Sequence, residues 1–262
     1  MKLQVPGGTI EYDVEGSGSP VLLLHAFPLD RRMWDEQAAA LRASHQVIRF
    51  DARGFGGSDE SDGPLTMERI ADDAAALLDR LGVGQAVVCG VSMGGYAAFA
   101  LVRRHASRLS GLVLADTKAA ADTPEARATR AALAEKVLKE GATAAAEANL
   151  PKLLGATTHR ERPAVVARIR ELIVTQRPRA IASALAGLAS RADSTPTLRE
   201  VRVPTLVICG AEDAITPPSD AEVLQKGIGG SRLAIVPAAG HLANVEAPDA
   251  FGRELLGFLA SL

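Results

Sequence analysis

Residues 86–96 read Ala-Val-Val-Cys-Gly-Val-Ser-Met-Gly-Gly-Tyr, an apolar run that passes through Gly90-Val91-Ser92-Met93-Gly94 into a small-residue helical pattern opening at Gly95. The run predicts a strand and the pattern beyond it a helix, so G-x-S-x-G falls on a sharp strand-to-helix turn. A serine on such a turn is driven toward an unfavourable backbone conformation. Gly90 and Gly94 remove the side chains that would collide around it. Ser92 Oγ is thereby offered at the carboxyl end of a sheet, beside the Met93 N–H at the helix start.

Outward from this turn, strands and helices alternate. Lys2–Val5 and Thr9–Val14 predict an opening hairpin around Pro6-Gly7-Gly8. Further strand-like runs lie at Val21–Phe27, Gln46–Asp51, Ala86–Val91, Leu109–Ala115, Thr205–Gly210 and Leu233–Pro237, with amphipathic segments such as Met33–Ala43 and Met67–Leu81 between the early ones. Continuous apolar runs spaced by helices predict an α/β protein with a mostly parallel sheet covered on both faces. Residues 118–200 break the rhythm. They hold no strand-like run, are rich in Ala, Arg, Leu and Glu, and are punctuated by Pro124, Pro151, Pro163, Pro178 and Pro196. Some 80 residues is long for one crossover, so the segment reads as a helical cap inserted into a core of residues 1–117 and 201–262.

The chain has 262 residues, enough for one full α/β core. Its 29 basic and 31 acidic side chains give no electrostatic reason to expect nucleic acid. No apolar run approaches the roughly 20 residues of a membrane span. The start, Met1 to Gly8, lacks a secretory pattern, and two cysteines, Cys89 and Cys209, are too few for a disulfide framework. A cytoplasmic setting is expected, and no metal or organic cofactor. The sequence leaves the oligomeric state open, a homo-oligomer included.

A serine hydroxyl needs a base to become a nucleophile. Of five histidines, His241 follows an apolar strand through the turn Pro237-Ala238-Ala239-Gly240, which brings its imidazole to the edge where Ser92 lies. His45, His105 and His159 stand in polar surroundings. The base in turn needs a carboxylate to hold its tautomer. Asp213, reached from strand Thr205–Gly210 through Ala211-Glu212, is the favoured candidate. Asp116 and Glu212 are its rivals, with a helix N-cap and a solvated turn as their alternative uses.

The order Ser92, Asp213, His241 is that of the α/β-hydrolases. The whole chain resembles the cap-bearing members of that superfamily. Leu23-Leu24-His25-Ala26-Phe27-Pro28 resembles the family's His-Gly-x-Pro segment, with Ala26 in place of the usual glycine. Phe50-Asp51-Ala52-Arg53-Gly54-Phe55-Gly56-Gly57-Ser58 resembles its D-x-R-G-x-G-x-S turn, and Gly240-His241 through Glu246-Ala247-Pro248 completes the pattern. The resemblance implies an eight-stranded sheet with an inserted helical cap, and an oxyanion hole made by the Phe27 and Met93 N–H groups. It also implies a structural role for His25, which could otherwise serve as a second base.

Within the superfamily the likeness is to 3-oxoadipate enol-lactonases and to related esterases and haloperoxidase-like hydrolases. The resemblance therefore implies cleavage of a small ester or lactone through an acyl-enzyme. Dehalogenase and epoxide-hydrolase branches carry aspartate where Ser92 stands. Carbon–carbon hydrolases share Ser-Met-Gly-Gly, but residues 118–200 contain no Phe, Tyr or Trp to stack on a bulky aromatic substrate. A ligand-binding signalling member with slow incidental hydrolysis is the alternative. Residues 118–200 carry fourteen Lys and Arg against nine Asp and Glu, which suits a carboxylate-bearing substrate held by Arg127, Arg130 or Arg191. Trp34 and Tyr96 complete the candidate substrate contacts, with packing as the competing use of each.

Overall fold

The computed structural model describes residues 1–60 and 62–262. Eight strands form one sheet in the order β1-β2-β4-β3-β5-β6-β7-β8. They are β1 (Lys2–Val5), β2 (Gly8–Glu15), β3 (Ser19–Leu24), β4 (His45–Phe50), β5 (Ala86–Val91), β6 (Leu109–Ala115), β7 (Thr205–Gly210) and β8 (Arg232–Val236). The hairpin β1–β2 and the β2–β4 pair are antiparallel, and every other pairing is parallel. All six residues of β5 and all six of β7 are buried, as a sheet covered on both faces requires.

The covering helices are α1 (Asp35–Leu41), α2 (Met67–Arg80), α3 (Met93–His105), α9 (Pro218–Gly227), the short α10 (Ala243–Glu246) and α11 (Pro248–Leu259), with α4 to α8 described below. Thr66 caps α2 by accepting the Arg69 N–H, and the helix buries Met67, Ile70, Ala71, Ala74, Leu77 and Leu78 along one stripe. α3 starts directly after Ser92 and is buried from Met93 to Val102. Its small residues let it run close against β5 and β6.

The chain leaves β3 for β4 on one side and β5 lies on the other, so the strand order reverses at β3. A crevice opens at the carboxyl ends of strands flanking such a reversal. The loops after β3 and β5, which hold Phe27 and Ser92, emerge there.

Five α-helices connect β6 to β7: α4 (Pro124–Glu140), α5 (Ala142–Leu153), α6 (Ala156–Glu161), α7 (Pro163–Val174) and α8 (Pro178–Ala189), followed by a 3-10 turn over Pro196–Glu200. α4 packs along α8 and α5 along α7. Pro124, Pro163 and Pro178 each open a helix, where their fixed φ suits the first turn and the missing N–H costs nothing. Pro151 differs from its expected punctuating role and lies inside α5, which ends two residues later.

Two elements also depart from expectation. The segment Met33–Ala43 is not one helix. Asp30 accepts the Arg32 N–H and closes a 3-10 turn over Arg31–Trp34 before α1 begins. The strand expected over Val21–Phe27 stops at Leu24, because His25 turns away to bond the next loop.

Candidate active site

Ser92 sits between β5 and α3 with φ 53° and ψ −111°, a conformation that L residues rarely adopt. Its N–H bonds Ala115 O at 2.9 Å, and its carbonyl accepts the Tyr96 N–H and the Thr117 hydroxyl. The neighbouring glycines are obligatory for contact reasons. A Cβ on Gly90 would lie 2.3 Å from the carbonyl of Gly94, and one on Gly94 would lie 2.1 Å from Leu24 O. Among the described residues, the non-glycine residues with positive φ are Ser92, Asp116 and Ala238, which follow β5, β6 and β8. Backbone strain is thus gathered at one edge of the sheet.

His241 follows β8, its Nε2 2.8 Å from Ser92 Oγ. Its Nδ1 faces both oxygens of Asp213 at 3.0 and 2.9 Å. With Asp213 accepting, Nδ1 carries the proton and Nε2 is left to accept from the serine hydroxyl. All three side chains are buried, Ser92 being the most open at 9% exposure. Asp213 is held from below by its own turn. Its Oδ1 accepts the N–H groups of Ile215 and Thr216, and Oδ2 accepts the Thr216 hydroxyl at 2.7 Å. Burial alone would raise the Asp213 carboxyl, but hydrogen bonds from His241 and Thr216 outweigh it and hold the group below its ordinary range.

The rival carboxylates go elsewhere. Asp116 accepts the N–H groups of Gly210 at 2.8 Å and Ala243 at 3.1 Å. Burial, and then the charge of Asp213, push its carboxyl well above the ordinary range. Glu212 faces the Thr157 N–H and hydroxyl. Neither touches the imidazole. Asp116, Cys209 and Asp213 cluster closely enough to suggest a cation site. However, Asp213 already serves His241, and burial raises the Cys209 thiol so that it stays protonated. The donor set does not suit a metal.

His25 accepts the Ala52 N–H at Nε2, 2.9 Å, and its Nδ1 donates to Ala26 O, 3.0 Å. It ties two loops together and lies outside the Ser92–His241–Asp213 chain. Neither the Phe27 N–H nor the Met93 N–H has a hydrogen-bond partner among the described residues. Met93 is buried and lines a small cavity together with Leu24, His25 and Ile70.

Three substrate-contact expectations need correction. Trp34 is fully buried and packs on Phe251 of α11, 6.1 Å between ring centroids, so it has no face for a substrate. Arg130 bonds Asp122, which also pairs with Arg191 at 2.6 Å, so its charge is already used. Arg127 is exposed on α4 and lines a groove against α8 whose walls include none of Ser92, His241 or Phe27. Tyr96 lies one helical turn after Ser92, with the Arg191 guanidinium 4.3 Å from its ring centroid. Sequence reading missed Thr216 as a support of Asp213. The signal available was its spacing, since Asp-x-x-Thr is a turn in which the carboxylate accepts forward N–H groups.

A family model described as the alpha/beta hydrolase fold matches residues 19–248, and the chain belongs to that family. The thermophilic esterase from Thermogutta terrifontis, solved with malate bound, superposes with a TM-score of 0.96 at 42% identity, over 99% of this chain and 96% of its own. The enol-lactonase from Burkholderia xenovorans superposes with a TM-score of 0.92 at 33% identity, over 99% and 100%. 3-Oxoadipate enol-lactonase 2 of Acinetobacter baylyi is 33% identical over 221 residues, 84% of this chain and 81% of the relative. These relatives are hydrolases, and the kinship makes this chain one. No helix among the described residues is long and apolar enough to cross a membrane.

Proposed function

We propose that the chain hydrolyses a small carboxylic ester or lactone through a covalent acyl-enzyme. The observation that carries this reading is the unbroken hydrogen-bond chain Ser92 Oγ to His241 Nε2 and His241 Nδ1 to Asp213. Ser92 attacks the carbonyl carbon while Nε2 takes its proton, and Asp213 stabilises the imidazolium that forms. The oxyanion is held by the N–H groups of Phe27 and Met93, worth about 3–4 kcal/mol per donor in proteases. As the tetrahedral species collapses, the C–O bond to the leaving oxygen breaks and His241 returns the proton to it. Water, deprotonated by His241, then releases the acid and regenerates Ser92. In a lactone the leaving oxygen stays tethered, and the product is one hydroxy acid, or a keto acid where the leaving oxygen is that of an enol.

In this reading residues 118–200 form the cap over a core of 1–117 and 201–262. The esterase and enol-lactonase relatives support the same class of substrate. A substrate carboxylate drawn to Arg130 or Arg191 would have to displace Asp122, so a substrate without its own charge fits better.

The test is steady-state hydrolysis of para-nitrophenyl esters from acetate to decanoate by the wild type and Ser92→Ala, with an enol-lactone as competitor. Repeated turnover that disappears in the variant is expected. Strong competition by the lactone assigns the lactonase branch. Equal rates in both proteins, or a single turnover per molecule, would sink the enzyme reading and favour ligand binding.

A further inference from the structure

The loops that carry His241 and Asp213 are both fastened to one short stretch of the helical insertion. Glu246 is buried and gathers three backbone N–H groups. Its Oε1 accepts from Gly240 at 2.8 Å and Leu242 at 3.2 Å, the residues on either side of His241. Its Oε2 accepts from Gly155, at the start of α6, at 2.7 Å. Glu212, directly before Asp213, accepts the Thr157 N–H at 2.8 Å together with its hydroxyl. Arg162 adds a bond to the carbonyl of Glu246.

The two backbones also meet without side chains between them. A Cβ on Gly155 would lie 2.5 Å from Glu212 Oε2 and 2.9 Å from Gly240 N, and one on Gly240 would lie 2.3 Å from Gly155 N. Four residues of the insertion, 154–157, are therefore keyed into both loops at once.

We infer that residues 154–157 act as a strut through which the insertion sets the position of the base, with Glu246 and Glu212 as positioning residues for His241 and Asp213. This rests on the Ser92–His241–Asp213 reading above. Asp213 fixes the far side of the imidazole, but the distance from Nε2 to Ser92 Oγ also depends on where the 240–242 backbone lies. Gly240 gives that backbone freedom, and the Glu246 carboxylate removes it by pinning both neighbours of His241. Charge-assisted bonds of this kind are about twice as strong as neutral ones. A displacement of the insertion is transmitted through Gly155 to the same carboxylate.

The experiment compares the wild type, Glu246→Gln, Glu212→Gln and the double variant. The readouts are kcat and KM for para-nitrophenyl acetate, the rate of Ser92 labelling by a fluorophosphonate, and the folded fraction by near-ultraviolet circular dichroism. Gln keeps the size of Glu246 but turns an amide NH2 toward one of its N–H partners. The expected result for Glu246→Gln is a fall in kcat per folded molecule of about 10- to 100-fold, with KM changed by less than about twofold and labelling slowed in parallel. The double variant is expected to be little worse than Glu246→Gln, because both carboxylates act through one strut.

A carboxylate that only satisfied buried N–H groups would lower the folded fraction and leave kcat per folded molecule unchanged. That outcome overturns the inference, as does full multiplication of the two single effects. Should Glu246→Gln fail to fold, the half-buried Glu212→Gln carries the same comparison with a smaller expected fall. Failure of the hydrolase reading is seen separately, as equal rates for the wild type and Ser92→Ala.

Discussion

At the scale of single residues, bonding rather than position singles out Asp213 as the acid of the proposed mechanism. Asp116 and Asp213 both follow strands at the same edge, and sequence alone could only rank them. In the fold Asp116 spends its oxygens on the Gly210 and Ala243 N–H groups, whereas Asp213 alone faces His241. Asp213→Asn is therefore expected to lower kcat on the order of 10³- to 10⁴-fold, as loss of the correct imidazole tautomer does in serine proteases. Asp116→Asn should leave most of that activity, and steady-state kinetics on one ester separates the two. Asp122 yields a stability prediction. It is buried with Arg191, so Asp122→Asn should cost about 3 kcal/mol in urea denaturation at neutral pH. Burial opposes its charge, but Arg130 and Arg191 hold the carboxyl below its ordinary 3.8. On acidification the unfolded chain then takes up its proton first. The contribution is present above about pH 4 and lost as pH falls below it. The wild-type urea midpoint should drop across that window, and more steeply than that of Asp122→Asn.

At the scale of elements, the strands were legible because parallel sheets bury both faces and leave continuous apolar runs, as β5 and β7 do. What was not legible was where side chains redirect the backbone. Asp30 splits the segment Met33–Ala43 by capping a 3-10 turn, and His25 draws the chain out of β3 three residues before its apolar run ends. Both bonds reach partners that periodicity does not register. The turn before α3 was readable because only glycines fit its contacts. Gly94→Ala would force a methyl group to within 2.1 Å of Leu24 O. Helix propensity favours alanine there by about 1 kcal/mol. The collision with backbone outweighs it, and a net loss of about 2–3 kcal/mol is expected. For a chain of this length that lowers Tm by roughly 5–10 °C. An unchanged melting curve would refute the crowding.

At the scale of the whole molecule, the sole tryptophan becomes a reporter of the core. Trp34 is fully buried against Phe251, joining the segment after β3 to α11. Its emission should be blue-shifted in the folded protein, insensitive to saturating product, and red-shifted only with global unfolding. Quenching by product at constant fold would restore a substrate contact for it. The five-helix insertion was legible as a stretch without strands or aromatics, but its attachments were not. Those attachments join Gly155 and Thr157 to carboxylates 91 and 55 residues away, pairings that no local pattern encodes. The same separation has a meaning in time. His241 is made 149 residues after Ser92. At about 5–20 residues per second, a ribosome takes roughly 7–30 s to deliver it. On the proposed mechanism, the nascent chain through that interval holds a nucleophile without its proton acceptor, so it cannot acylate itself on metabolites met during synthesis. Competence arrives only when the last strand and its loop have been added.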